Sequence, residues 1–170
     1  MRLGWVWLVA VSALLGGSQA CVSREAPAQP IAFPHRVHAE KKIRCTFCHA
    51  GAERHSQATL PSVTLCMSCH SVVKPDAPEI VKTKAYLDAK TEIPWRRIYK
   101  LDSEADVFFN HHRHAAAAVE CASCHGDVAQ RDVLHREVNL TMGFCISCHR
   151  AQEAKFRDVR LAADCATCHR

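Results

Sequence analysis

Cys45-Thr46-Phe47-Cys48-His49 is the first of five copies of one word in this chain. The others are Cys66-Met67-Ser68-Cys69-His70, Cys121-Ala122-Ser123-Cys124-His125, Cys145-Ile146-Ser147-Cys148-His149 and Cys165-Ala166-Thr167-Cys168-His169. Together they use ten of the eleven cysteines in 170 residues. Two thiols separated by two residues can reach the two vinyl groups on one edge of a porphyrin and bond to it as thioethers. The residue that follows offers its imidazole to the iron. C-x-x-C-H is therefore the attachment word for c-type haem. Two other readings compete. The stretch from His49 to Leu65 between the first two cysteine pairs has a length that suits a zinc ribbon, and cysteine pairs in an exported chain suit disulfides. The histidines decide between them. With 12 His in 170 residues, five chance hits directly after five cysteine pairs have odds of about two in a million. The pattern predicts five covalent haems, with His49, His70, His125, His149 and His169 as proximal iron ligands.

The N-terminus supports export. Arg2 precedes an apolar run from Gly4 to Gly17, followed by Ser18-Gln19-Ala20. A short charged start, a short apolar stretch and small residues mark residues 1–20 as a signal peptide. An uncleaved membrane anchor reaching Val22 is the competing reading, although a span needs about 20 apolar residues. Cleavage after Ala20 leaves Cys21 first, where it is open to lipidation. Residues 21–31 are Pro- and Ala-containing and read as a tether. Without Arg2, the 22 basic residues fall to 21 against 17 acidic ones, and the propionates of five haems outweigh that difference. The sequence pI of about 8.7 thus describes protein without haem and lends no support to nucleic-acid binding.

From Cys21 onward the chain offers each of its five words only about 30 residues, too little to wrap five porphyrins and also build a separate apolar interior. The expected fold is mainly α-helical and irregular, with haem as the core and little or no β-sheet. Cross-links and iron ligands replace the missing core.

Seven histidines lie outside the words: His35, His38, His55, His111, His112, His114 and His135. Phe33-Pro34-His35-Arg36-Val37-His38 precedes Cys45, and Phe109-Asn110-His111-His112-Arg113-His114 precedes Cys121. Both read F-x-H-x-x-H, and the offset that relates Phe33 to Phe109 also relates Cys45 to Cys121 and His49 to His125. A second word follows each, after Ala50 to Leu65 in the first unit and after Gly126 to Phe144 in the second. The chain is an internal duplication of a di-haem unit. Residues 32–73 form the first module and 74–105 a connector. Residues 106–170 form the second module, with a third word added at its end. Histidines at i and i+3 share one helical face. On a short helix they cannot both serve one iron, but they can reach two irons on either side. His135 stands ten residues before Cys145 and His55 eleven before Cys66, so either can supply a fifth distal ligand. His112 reads as a solvent-facing neighbour. In the connector, Ala77 to Lys90 is a helix candidate with Ile80, Val81, Lys84 and Leu87 near one face, and Pro94 prevents its continuation. Trp95 reads as packing on a haem or as a partner-binding edge.

The F-x-H-x-x-H segments resemble those of the class III cytochromes, the c3 and c7 type. That resemblance implies that the first histidine serves the word that follows it and the second serves another haem. His35 and His111 then cap the haems of Cys45/Cys48 and Cys121/Cys124, while His38 and His114 cap two others. A more specific likeness runs through Leu60-Pro61-Ser62-Val63-Thr64-Leu65-Cys66, Ile93-Pro94-Trp95-Arg96-Arg97-Ile98-Tyr99-Lys100-Leu101, Val107-Phe108-Phe109-Asn110-His111 and Leu140-Thr141-Met142-Gly143-Phe144-Cys145. In order and spacing this is similar to the pentahaem cytochrome subunit of alternative complex III, a bacterial quinol:electron-acceptor oxidoreductase. The resemblance implies a place on the periplasmic face of the inner membrane. Its implied partners are iron–sulfur/molybdopterin-like and integral membrane subunits, with a downstream cytochrome c or oxidase.

Two function classes follow. Iron held by two histidines is six-coordinate and has no place for substrate, which describes an electron relay. A multihaem reductase would need one haem with an open coordination position and polar groups above it. Seven spare histidines for five irons favour the relay, with no catalytic residues. The intact mass of the exported, mature protein should show five covalent haems; fewer than four, or a mass fitting zinc, contradicts this reading.

Overall fold

The computed structural model describes residues 26–101, 106–158 and 162–169; the export segment and Cys21 lie outside them. Among the described residues the helices are short: α1 (His35–Glu40), α2 (Cys45–Cys48), α3 (Val63–His70), α4 (Pro78–Asp88), α5 (His111–Ala116), α6 (Ala122–His125), α7 (Met142–Ala151) and α8 (Cys165–Cys168). Turns of 3₁₀ helix follow at Ala50–Glu53, Val128–Gln130 and Glu153–Lys155. The only β-type pairing among the described residues is an isolated antiparallel bridge between Val107 and His169. The helical and irregular architecture expected from the sequence is the one found. None of the described helices is long and apolar enough to cross a membrane.

Local chemistry explains where these helices begin. Side-chain oxygens of Ser62, Asn110, Thr141 and Asp164 accept hydrogen bonds from the backbone N–H groups of Leu65, Arg113, Phe144 and Ala166, satisfying donors that a helix start leaves open. Pro78 occupies the first turn of α4, where its missing N–H costs nothing.

The ends of α1 and α5 are copies of one another. The N–H of Ile43 donates to His38 O at 3.2 Å, and that of Lys42 to Ala39 O at 2.8 Å. At the equivalent place in the second repeat, Val119 donates to His114 O and Ala118 to Ala115 O, each at 3.0 Å. This is a Schellman closure. It puts Lys42 (φ 60°) and Ala118 (φ 53°) in the left-handed region, which glycine usually occupies.

The two repeats also exchange contacts. Helix α1 packs on the turn at Val128–Gln130, and α5 on the turn at Ala50–Glu53. Arg36 N donates to Arg131 O at 3.0 Å, and His112 N to His55 O at 3.1 Å. Arg36 corresponds to His112, and His55 to Arg131, under the same repeat offset. The duplicated units therefore embrace reciprocally, about an approximate two-fold relation.

The conventional core is very small. Ile31, Val63 and Ile93 form its buried cluster, with Tyr86, Leu87 and Trp95 against it. None of the described large side chains is fully buried. Large apolar side chains stand open, Val72 at 78% and Val133 and Met142 each at 68% exposure. Helix α4 lies within the expected span, but its inward face differs. Thr83 is buried at 4% exposure, while Val81 is 53% exposed. The Thr83 hydroxyl donates to Glu79 O at 2.8 Å, so a small polar residue is satisfied inside its own helix while Tyr86 and Leu87 meet the cluster. The end of the expected tether is also packed. Ile31 is buried because it is the apolar residue of that stretch facing Val63 and Ile93. Gln29 bonds Arg96 at both N and O, at 3.0 and 2.8 Å.

The left-handed position at Ala118 yields a direct test. Replacement of Ala118 by Gly should stabilise the haem-loaded protein by about 1 kcal/mol, because a β-carbon in that region costs roughly 1–2 kcal/mol. Guanidinium unfolding measures this, and unchanged or lower stability contradicts it.

Candidate functional site

Each C-x-x-C-H word lies on or at the end of a helix, in α2, α3, α6, α7 and α8. Residues at i and i+3 share a helical face, so the two thiols of a word face one side together. None of the ten cysteines is in a disulfide. Among the described residues no group of three or more His, Cys, Asp or Glu converges on a metal position, whereas a zinc ribbon brings four such donors together.

The histidines meet across helices instead. His38 of α1 faces His70 of α3 with ring centres 6.1 Å apart. His111 of α5 faces His125 of α6 at 6.4 Å, with rings 16° from parallel. His114 of α5 faces His149 of α7 at 6.2 Å and 25°. These are too far apart for direct stacking. Metal–imidazole bonds of about 2 Å on either side, with each ring centre about 1 Å further out, place two ring centres about 6 Å apart. The spacing fits one iron between each pair.

The other ring nitrogen is occupied in most cases. Nδ1 lies near a backbone carbonyl oxygen in His38 (Pro34, 3.2 Å), His49 (Thr59, 2.8 Å), His70 (Val73, 2.9 Å), His111 (Ser56, 2.9 Å), His114 (Asn110, 2.8 Å) and His149 (Ala162, 3.1 Å). A proton on Nδ1 donated to that oxygen leaves Nε2 as the lone-pair nitrogen and fixes the ring direction, as metal-binding histidines require. Phenylalanine completes the alignment. Phe33 stacks on His38 at 4.4 Å and 24°, and Phe109 stacks on His114 at 4.5 Å and 25°. Each also meets the first histidine of its motif edge-on, at 4.8 and 4.7 Å.

His35 is different. Its Nδ1 is buried without a hydrogen-bond partner. Burial pushes its pKa down to about 4, and His49 and then His38 add to the shift. His125 is lowered by burial, then by His111 and His49. Burial thus favours the neutral ring in both, the form that can offer a lone pair to a metal.

The remaining sites are less uniform. His55 is exposed; its N–H donates to Gly51 O at 2.7 Å and its carbonyl accepts from His112. His135 is half-buried, with Nε2 3.8 Å from Glu137 Oε1. His169 takes part in the bridge to Val107. His112 is exposed, as expected, but it is not idle. Its Nδ1 lies 2.6 Å from Glu53 O and ties α5 to the first repeat.

Tyr99 carries a role that the sequence did not signal. Its hydroxyl donates to His125 O at 3.0 Å and accepts from Glu137 N at 2.9 Å and Val138 N at 3.3 Å. Its ring meets His125 edge-on at 4.7 Å. Glu137 in turn accepts from Arg131 Nε at 2.5 Å and Asp127 N at 2.9 Å. The bond to Arg131, then that to Asp127 N, holds its carboxyl down at about 2. Gly126 (φ 72°) allows this closure, because a β-carbon there would lie 2.6 Å from that of Glu137. The only lexical cue was the position of Tyr99 within the Ile93–Leu101 stretch.

Comparison with known proteins agrees with this geometry. The family described as cytochrome c7 and related cytochrome c matches residues 107–170. The chain is 32% identical over 164 residues to the menaquinone reductase, multiheme cytochrome c subunit of Nitratidesulfovibrio vulgaris, covering 84% of this chain and 77% of that protein. Five attachment words, histidines spaced for iron and this likeness along most of the sequence lead to one assignment: the chain belongs to the family of multihaem c-type cytochrome subunits that carry electrons.

Proposed function

We propose that this protein is a pentahaem relay on the periplasmic face of a bacterial inner membrane, passing electrons within a quinone-linked respiratory assembly of the alternative complex III type. The ring spacings of His38 with His70, His111 with His125 and His114 with His149 carry this reading. Those three pairs, with His35 and His49 as a fourth, would hold four haem irons. His169 holds the fifth, opposite His55 or His135. Bound haem supplies a one-electron couple at each iron. The chain's own residues would hold each haem through histidine, fix most of these imidazoles through Nδ1 and exclude other ligands. Two imidazoles on every iron leave no place for a substrate, so the chain conducts and its partners catalyse.

Several observations support the setting. The relative from Nitratidesulfovibrio vulgaris is named as part of a menaquinone reductase. The resemblance to alternative complex III reaches the connector, where no attachment word dictates sequence. The first describes quinone reduction and the second quinol oxidation. A row of six-coordinate haems serves both, because its partners' potentials set the direction. The integral membrane and iron–sulfur/molybdopterin-like subunits would anchor it, with Cys21 available for a lipid.

Spectroscopy tests the ligation. All irons should be low-spin in both oxidation states, and the reduced protein should not bind carbon monoxide. His114→Ala should create one high-spin, carbon-monoxide-binding haem and leave the others low-spin. His112→Ala should leave the spectrum unchanged and cost about 1 kcal/mol of stability through the lost bond to Glu53. A high-spin haem in the unaltered protein would show that one site is open and that the chain is a reductase.

A further inference from the structure

The attachment cysteines do not form five isolated pairs. Cys45 and Cys121, the first cysteines of equivalent words, lie within electrostatic reach of one another where the two repeats meet. Cys48 neighbours Cys69, and Cys66 neighbours Cys48. In the second repeat Cys124, the counterpart of Cys48, neighbours Cys148 and Cys145. Cys145 also neighbours Cys168. When haem is attached, these sulfur atoms would carry its thioether edges.

Histidines and backbone give the same adjacency independently. Helix α1 carries His38 facing His70 and His35 within electrostatic reach of His49, so the first and second words share one helix. Helix α5 carries His111 facing His125 and His114 facing His149, so the third and fourth share another. Each of these helices packs on the turn that follows the first word of the opposite repeat, which puts the first word beside the third. His149 Nδ1 lies 3.1 Å from Ala162 O, shortly before α8. Phe108 N donates to Cys168 O at 2.7 Å, just before α5. The fifth word is thus held beside the fourth.

We propose that the haem sites form one unbranched row whose order, numbered along the sequence, is second, first, third, fourth, fifth. This rests on the pentahaem relay proposed above. The duplication inverts the first repeat relative to the second, so the word of Cys66, Cys69 and His70 comes to one end. The word of Cys165, Cys168 and His169 forms the other. These two ends are where electrons are exchanged with redox centres of other proteins. Haems bound in this order would give each site only its immediate neighbours as redox partners within the chain. The first and third sites are interior and make the single crossing between repeats.

Iron positions in the haem-loaded protein test this directly, from anomalous diffraction at the iron edge or from density that resolves the porphyrins. The expected result is one nearest neighbour for the second and fifth irons and two each for the first, third and fourth, in the order given. An end position for the first or third iron, a branch, or direct contact between the second and fourth sites overturns the order. Fewer than five irons instead defeats the pentahaem reading. The neighbours of the irons that are present still decide the order.

Discussion

A histidine from one short helix, facing across about 6 Å the histidine that ends a C-x-x-C-H word on another, is the contact on which this architecture rests. The described chain has almost no interior of its own. Its buried apolar cluster is Ile31, Val63 and Ile93 with three partly buried neighbours. Helices of four to eleven residues are too short to persist alone in water, where marginal helices need roughly 12–15 residues. On the proposed ligation, what aligns them is the demand that two imidazoles meet one metal. The Nδ1 contacts to backbone carbonyls extend that demand into the loops. Open apolar side chains such as Val72 and Met142 show how little apolar surface the chain covers by itself.

Duplication then multiplies one solution. The F-x-H-x-x-H helix, its left-handed ending at Lys42 or Ala118 and its stacked phenylalanine recur with the same geometry. Reciprocal packing turns two such units into a continuous object, because each distal helix leans on the turn behind the other unit's first word. The repeats have diverged where the neighbourhood allowed it. Arg36 pairs with Asp132 and Glu40 at the surface, while its counterpart His112 bonds to Glu53 O.

Much of this was legible from residue order. The attachment words have fixed spacing because thioether chemistry fixes it, and the F-x-H-x-x-H motif shows itself because Phe33, His35 and His38 recur as Phe109, His111 and His114 at one constant offset. The partnering of His114 with His149 is a long-range consequence that a spacing argument only brackets. The acceptors for Nδ1 were not legible, since any backbone carbonyl can serve and loop conformation selects it. Tyr99 and Glu137 escaped for the same reason: both act through main-chain groups of a loop closed at Gly126. The sequence groups Ile80, Val81, Lys84 and Leu87 near one face of α4 but does not tell which residue turns inward, where Thr83 is buried and Val81 exposed. Thr83 can be buried once its hydroxyl bonds within the helix.

If iron ligation and not apolar burial organises the fold, the chain without haem should fail to fold. Far-ultraviolet circular dichroism and guanidinium unfolding of the mature chain, made with and without haem attachment, measure this. The account predicts a cooperative transition for the haem-loaded protein. It predicts low helix content with no cooperative transition for the haem-free chain. A haem-free chain with the same helix content and a sharp transition would contradict it.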